Sequence, residues 1–159
     1  MSHLSVGISD WKIGKSPDIL VTYALGSCVG ICLYDKIRKV AGLSHIMLPD
    51  SKSAGDVAVN RMKFADTAIP DMHKKMISMG AASAGMTAKI AGGAMMFAAH
   101  SDRFNIGERN VAAVKAALHL LKIPIIASDT GLNYGRTVFF YPDTGKVMVK
   151  SASQGEKMM

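Results

Sequence analysis

The feature that most constrains the fold of this chain is a series of short β-rich runs, each followed by turn residues, in its first half. The runs over 19–24, 29–34 and 40–47 are rich in branched and aromatic apolar residues. Each run stops within two residues of a glycine, an aspartate or a proline. Strands this short, divided by turn residues, favour a sheet over a helical bundle.

The middle of the chain changes to a helical period. Apolar residues recur there at steps of three and four along two segments, as on the buried face of a helix. The first set is Ala65, Ile69, Met72, Met76 and Met79, and the second is Val111, Val114, Leu118 and Leu121. Pro70 should kink or divide the first helix, and Gly80 should end it. Pro124 should end the second helix.

Two apolar segments of the second half predict further strands. Segment 86–96 is interrupted by the pair Gly92-Gly93, which predicts a strand, a tight bend and another strand. Segment 123–128 predicts a buried strand. Two helices among many strands in mixed order indicate the α+β class, with the helices covering one face of a sheet or of a β-sandwich.

The C-terminal part of the chain carries the pattern of a hairpin. Segments 137–141 and 146–150 flank the turn sequence Asp-Thr-Gly at 143–145. The residues after that hairpin should fray, as chain ends commonly do. Since 159 residues suffice for one domain, we expect a single domain over 1–150 and a flexible tail over 151–159.

Composition excludes several classes of function. The net charge of +7 comes from 19 Lys and Arg against 12 Asp and Glu, but the basic residues are scattered and aromatic content is only 6%. Nucleic-acid-binding surfaces interleave aromatic residues with charges, so we expect no nucleic-acid partner. The best apolar stretch, 90–99, is far shorter than the roughly 20 residues of a membrane-spanning helix. Two cysteines rule out a disulfide scaffold and a four-cysteine zinc site.

Segment 25–28, Leu-Gly-Ser-Cys, looks like the cleavage box of a bacterial lipoprotein signal. Such a signal needs a basic head and then an apolar run before the cysteine, but Asp10, Pro17 and Asp18 interrupt that region. We therefore expect a cytoplasmic protein with reduced thiols that is not inserted in a membrane.

The most informative residue for chemistry is Cys28, at the centre of a Gly-Ser-Cys-Val-Gly segment over 26–30. Glycines two positions before and after a nucleophile form the elbow pattern of hydrolases, because they let the backbone turn sharply and aim N–H groups at an oxyanion. The alternative is a small buried cysteine in a glycine-rich turn. A strand rather than a helix is predicted after Cys28, which argues against the α/β-hydrolase fold.

A catalytic cysteine needs a base, and His45 is the best candidate. A hairpin between the strand after Cys28 and strand 40–47 would bring the two side chains together. The alternative is a histidine satisfied within the core. Cys32 would face the same side as Cys28, but the spacing of these residues matches no familiar zinc module. We therefore interpret Cys32 as a core residue and expect no metal.

A series of short motifs runs along the whole chain. In order they are Val21-Thr22, Leu25 to Val29, His45 to Asp50, Lys89 to Ala94, Ile106 to Asn110, Asp129 to Gly131, Gly135-Arg136 and Thr144-Gly145. Together, over roughly 7–150, they resemble the chemoreceptor glutamine deamidase (CheD) family. Two positions depart from the usual pattern of that family: Ala91 replaces a phenylalanine and Leu132 replaces a glycine.

The resemblance implies an enzyme that hydrolyses particular glutamine side chains of methyl-accepting chemotaxis receptors to glutamate. It implies that Cys28 is the nucleophile, His45 the base and Thr22 the third member, acting through its hydroxyl or its backbone carbonyl. Gly26 and Ser27 would support the turn that holds the oxyanion. A thioester on Cys28 would be the intermediate, and no metal or organic cofactor is needed.

The resemblance also implies a fold and a second partner. The fold would be a layered α/β sandwich with two main helices on mixed β-sheets, similar to the catalytic domain of the cytotoxic necrotizing factor toxins. The partner would be a CheC-type chemotaxis phosphatase. Two alternatives remain open at this point: a non-catalytic adaptor that binds receptors and the phosphatase, and another cysteine hydrolase such as a thioesterase or receptor methylesterase.

Overall fold

A computed structural model describes residues 3–52, 60–96 and 105–159 of the chain. Within these ranges the chain forms ten strands and two α-helices. The strands are β1 His3–Ser5, β2 Asp10–Gly14, β3 Ile19–Leu25, β4 Val29–Asp35, β5 Val40–Ile46, β6 Met86–Gly92, β7 Ile125–Thr130, β8 Arg136–Phe140, β9 Val147–Ser151 and β10 Gly155–Met158. The helices are α1 Ala65–Ser78 and α2 Ile106–Leu120.

The strands form two five-stranded mixed sheets. The outer sheet has the order β1-β3-β8-β9-β10, and the central sheet has the order β2-β5-β4-β6-β7. The pairs β1–β3 and β6–β7 are parallel, and the other neighbouring pairs are antiparallel. Strands β8 and β9 form the predicted hairpin. Strands β4 and β5, on either side of residue 36, also pair as predicted.

The fold has three layers, and strand β4, which is buried on both faces, lies in the middle one. Val29, Ile31 and Leu33 pack in a cluster with apolar residues of α1 and α2. The alternate residues Cys32 and Tyr34 pack in a second cluster, with residues of the outer sheet. Successive side chains of a strand point to opposite faces, so the central sheet lies between the helices and the outer sheet. The α+β class and the layered sandwich with two helices are thereby confirmed.

Helix α1 is continuous through Pro70, so of the two predicted effects of this proline, a kink or a division, the division does not occur. A proline removes one helical hydrogen bond, here the bond to the Asp66 carbonyl. The buried face that includes Ile69 and Met72 packs against the central sheet, and this burial outweighs the loss. The helix ends before Gly80, whose φ of +102° suits a glycine, as predicted.

Three segments near the sheet edges differ from the structure predicted for them. The tail does not fray throughout, because β10 pairs with β9 and completes the outer sheet. Segment 123–128 contributes to a strand, β7, as predicted, but β7 is an edge strand with Ile126 exposed, so the prediction that it would be buried was wrong. Residues 93–96 form no strand, because backbone N–H groups there bind neighbouring loops. Edge strands and loop pairings depend on contacts distant in sequence, which local patterns do not contain.

The end of β4 is fixed by a buried carboxylate, Asp35. Its oxygens accept hydrogen bonds from the backbone N–H groups of Ile37 at 3.0 Å, Arg38 at 3.2 Å and Ala82 at 2.8 Å. Burial alone would raise the pKa of Asp35, but these three N–H groups and the Arg38 charge lower it overall.

We expect Asp35→Ala to lower the free energy of unfolding by about 3 kcal/mol, because several buried N–H groups lose a charged acceptor. The matched control is Asp143→Ala, which removes an exposed carboxylate paired with Lys39 and should change stability by less than about 0.5 kcal/mol. Urea unfolding measures both. Since the folded pKa of Asp35 is lowered, its contribution should be full above the ordinary aspartate pKa and vanish as pH falls through the folded value. Equal losses in the two variants would contradict this role.

Candidate active site

The turn that carries Cys28 joins the outer sheet to the central sheet. Leu25 ends β3 and Val29 begins β4, so the half-buried Cys28 lies at the point where the chain passes between the sheets. Gly30 pairs directly with His45 on β5, which makes Cys28 the diagonal neighbour of His45. Cys28 packs against the apolar cluster between the sheets. The expected hairpin therefore forms, and its register places Cys28 diagonally across from His45.

His45 forms a hydrogen bond from the central sheet to Thr22 on the outer sheet. The Thr22 Oγ1 lies 2.6 Å from His45 Nδ1 and 2.7 Å from the carbonyl oxygen of Val6. Two oxygens this close need a proton between them, and a carbonyl has none, so the Thr22 hydroxyl donates to Val6. The Thr22 oxygen must then accept from His45 Nδ1–H. This leaves Nε2 unprotonated, and that atom is buried without a hydrogen-bond partner among the described residues.

The surroundings keep both His45 and Cys28 uncharged at neutral pH. Burial lowers the pKa of His45 to about 4, because the interior disfavours the imidazolium. Burial raises the pKa of the Cys28 thiol, partly opposed by a hydrogen bond from the Cys28 backbone N–H, which lowers it. The site therefore rests as a thiol and a neutral imidazole rather than as an ion pair.

Glycine is required where two loops meet behind the Cys28 turn. The N–H of Gly93 donates to the Cys28 carbonyl at 2.8 Å, and the N–H of Ala94 donates to the Gly26 carbonyl at 2.9 Å. A Cβ on Gly92 would lie 2.3 Å from the Cys28 carbonyl oxygen, and a Cβ on Gly107 would lie 2.4 Å from the Ala94 oxygen. The pair Gly92-Gly93, predicted only as a tight bend, thus supports the Cys28 turn.

Other sequence-predicted positions lie away from this chemistry. Cys32 is fully buried, and burial raises the pKa of its thiol far above the ordinary value, as expected of an inert core residue. Leu132, where the family usually has glycine, adopts a left-handed φ of +60°. Ala91 is buried between the sheets.

The described ranges lack both a cluster of metal ligands and a membrane-spanning helix. No group of three or more His, Cys, Asp or Glu side chains is arranged there to hold a metal ion. Neither described helix combines the length and the apolar character that crossing a membrane requires.

We expect Gly92→Ala to destabilise the domain by more than about 3 kcal/mol, since the new Cβ meets a backbone carbonyl and φ is +110°. Gly85→Ala is the matched control, because a Cβ there meets no atom within 4 Å. Urea unfolding and the rate of Cys28 alkylation should both change in Gly92→Ala and stay close to wild type in Gly85→Ala. A Gly92→Ala variant as stable as Gly85→Ala would contradict the close approach of the two loops.

Comparisons with known proteins agree with the resemblance seen in the sequence. A family model described as CheD chemotactic sensory transduction matches residues 47–151. The probable chemoreceptor glutamine deamidase CheD of Caldanaerobacter subterraneus subsp. tengcongensis is 53% identical over 97% of this chain and 96% of its own length. The protein of the same description from Syntrophomonas wolfei is 49% identical over 98% of both chains. That from Clostridium botulinum strain Hall is 50% identical over 99% of this chain and 98% of its own.

Among solved structures, the hypothetical protein YfiH of Bacillus licheniformis superposes on 72% of this chain and 47% of its own, with a TM-score of 0.46 at 15% identity. The family model covers more than half of the chain, and the relatives align with nearly all of it, including the turn of Cys28 and the strand of His45. The chain belongs to the CheD family of chemotactic sensory transduction proteins.

Proposed function

We propose that this protein is a glutamine deamidase that converts glutamine side chains of methyl-accepting chemotaxis receptors to glutamate and releases ammonia. The substrate class rests on the descriptions of its relatives. The observation that carries the chemistry is the unprotonated Nε2 of His45, held beside the Cys28 turn by the Thr22 hydroxyl. A non-catalytic adaptor would not need a buried histidine in this tautomer.

In the proposed first half-reaction, the Cys28 sulfur attacks the amide carbonyl carbon while His45 Nε2 takes the thiol proton. The carbonyl oxygen becomes an oxyanion, which the backbone N–H of Cys28 stabilises. The imidazolium then returns its proton to the amide nitrogen, the C–N bond breaks, and ammonia leaves. The product is a thioester on Cys28. Gly26 and Ser27 shape the turn that presents both the sulfur and the N–H.

In the second half-reaction, water attacks the thioester while neutral His45 takes a proton from it. The tetrahedral intermediate collapses, the C–S bond breaks, and the sulfur recovers its proton from the imidazolium. Thr22 contributes throughout, because its oxygen accepts from Nδ1–H and so stabilises each imidazolium as it forms. The chemistry needs no metal or organic cofactor, since acid, base and nucleophile all come from the chain.

An apolar surface beside Cys28 supports docking of a protein substrate. A groove of about 680 Å³ is lined by Gly93, Met95 and Leu132, among others, and Gly93 binds the Cys28 carbonyl. Met47, which follows the His45 strand, is exposed as well. We propose that the receptor helices bind here. A CheC-type phosphatase is a second proposed partner, which rests on the family resemblance.

Three basic residues, Lys36, Arg38 and Lys39, lie at the far end of β4 from Cys28. Seven strand residues separate them, roughly 23 Å at 3.3 Å per residue. Arg38 pairs with Asp35 and Lys39 with Asp143 at that end. The net positive charge favours an acidic partner by long-range attraction. The groove beside Cys28 adds Glu108 and Lys115 to its apolar lining.

The direct test is mass spectrometry of receptor fragments incubated with the protein. Conversion of an amide to an acid gives a small mass gain at a glutamine, whereas hydrolysis of a methyl ester removes a methyl group. An adaptor would leave both groups unchanged. Glutamine-to-glutamate conversion supports the proposal, and loss of methyl groups alone would favour the methylesterase alternative.

Cys28→Ala should abolish deamidation in a folded domain, because the covalent step loses its nucleophile. Cys32→Ala is the matched control, since it removes the other, fully buried thiol and should retain most of the activity. A deamidation time course with a receptor fragment measures both variants, with thermal unfolding to confirm folding. Comparable turnover by Cys28→Ala and wild type would overturn the mechanism.

The pH dependence of kcat/KM should show an acid limb near pH 4, far below the ordinary imidazole value of about 6.5. The reaction requires neutral His45, and the lowered pKa keeps the imidazole neutral until the pH falls through about 4. The rate should therefore be constant from pH 5 to 7, with circular dichroism to exclude unfolding at the acid end. An acid limb at the ordinary value would show that His45 is not desolvated in this way.

Thr22→Val should lower kcat by roughly 10- to 1000-fold with little change in KM, because the imidazole loses the partner that fixes its tautomer. Valine keeps the shape of threonine without the hydroxyl. Thr22→Ser, which keeps the hydroxyl, should remain within about tenfold of wild type. Steady-state kinetics on a receptor fragment measures these effects. Full activity in Thr22→Val would mean that the backbone, and not the hydroxyl, orients His45.

A further inference from the structure

A buried asparagine on α2 joins the two halves of the candidate site. The Asn110 side chain is fully buried, and its Nδ2 donates to the Ser27 carbonyl at 2.9 Å and to the Met47 carbonyl at 3.0 Å. Both partners are acceptors, so the amide nitrogen must face them and uses both of its protons. Ser27 precedes the nucleophile, and Met47 follows the strand of His45 by one residue.

The Met47 end of this link is the fixed one. The Met47 N–H binds the Lys63 carbonyl at 2.9 Å. His45, two residues earlier, is paired with β2 through Asp10 and with β4 through Gly30. Ser27 lies in the turn between β3 and β4, outside any strand, so the amide of Asn110 ties this turn to the end of β5.

The geometry of a peptide bond carries this restraint to Cys28. In a trans peptide the C=O of one residue and the N–H of the next point in opposite directions. Because the Ser27 carbonyl is directed at Asn110, the Cys28 N–H is directed away from α2. That N–H and the attacking sulfur belong to the same residue, so an oxyanion that forms on the attacked carbonyl lies close to this N–H.

We infer that Asn110 is a positioning residue for the proposed hydrolysis: by holding the Ser27 carbonyl, it aims the Cys28 N–H at the oxyanion. This inference rests on the proposed function for its natural substrate. The role of Asn110 in the motif Ile106 to Asn110 was not deduced from the sequence, because its two partners lie 83 and 63 residues away along the chain.

The experiment compares two reactions of the same thiol. Acylation of Cys28 by p-nitrophenyl acetate passes through an oxyanion, whereas alkylation by iodoacetamide displaces iodide at a saturated carbon and forms none. The ratio of the two rates therefore reports the oxyanion donor independently of thiol ionisation. Cys28→Ala provides the background, and the amount of alkylated protein counts the folded, reactive sites.

In Asn110→Ala the ratio of acylation to alkylation should fall by roughly 10- to 100-fold. This fall is smaller than the one expected when an oxyanion donor is removed completely, because the Cys28 N–H is still present but is no longer held in position. Val114→Ala is the matched control, since it truncates a fully buried side chain one turn further along α2 that has no hydrogen-bonding group to hold the Ser27 carbonyl. Its ratio should equal that of wild type. Asn110→Ser, a milder change that keeps one donor, should give an intermediate ratio and serves if Asn110→Ala does not fold.

An unchanged ratio in Asn110→Ala or Asn110→Ser, or an equal fall in Val114→Ala, would overturn the inference. On a receptor fragment, kcat of Asn110→Ala should fall by the same factor as the ratio, with KM unchanged. If the wild-type protein is acylated by the ester but leaves receptor glutamines intact, the proposed function fails while the role of Asn110 stands.

Discussion

The rest of the site depends on one hydrogen bond that crosses the space between the two sheets. Packed sheets lie about 10 Å apart, so His45 on the central sheet and Thr22 on the outer sheet meet only where no bulky side chain separates them. Gly30, directly beside His45, supplies that room: a Cβ there would lie 3.1 Å from Leu25 and 3.7 Å from Thr22. The sandwich therefore sets the orientation of the imidazole. The Val6 carbonyl accepts the Thr22 hydroxyl proton, and this leaves the Thr22 oxygen to accept the proton on His45 Nδ1.

This arrangement orients His45 and Cys28 in the resting site, while both side chains are still uncharged. A desolvated imidazole with a pKa of about 4 and a thiol with a raised pKa remain neutral until a substrate arrives. An uncharged thiol is less reactive toward stray electrophiles than a thiolate, because the thiolate is the nucleophile. The proposed enzyme thus ionises its cysteine only during attack, where the N–H beside the sulfur offsets the new charge on the oxyanion.

The sequence predicted those parts of the molecule that depend on neighbours along the chain. The hairpin of Cys28 and His45 was predictable because its strands are joined by a short turn, and the helices because their buried faces are periodic. Thr22 entered through a family resemblance, and nothing local distinguishes it from an ordinary strand threonine. The contacts of Gly92 and Asn110 join segments more than 60 residues apart, so only the folded chain reveals them.

The most direct test of this account is the tautomer of His45, measured by nitrogen-15 NMR of the imidazole in the resting protein near pH 7. The account predicts a protonated Nδ1 that donates to Thr22 and an unprotonated Nε2, with neither shift changing as the pH is lowered to about 5. Thr22→Val should disturb this pattern, whereas Thr22→Ser should preserve it. A proton on Nε2, or an imidazolium at neutral pH, would contradict the claim that the inter-sheet hydrogen bond prepares His45 as the base.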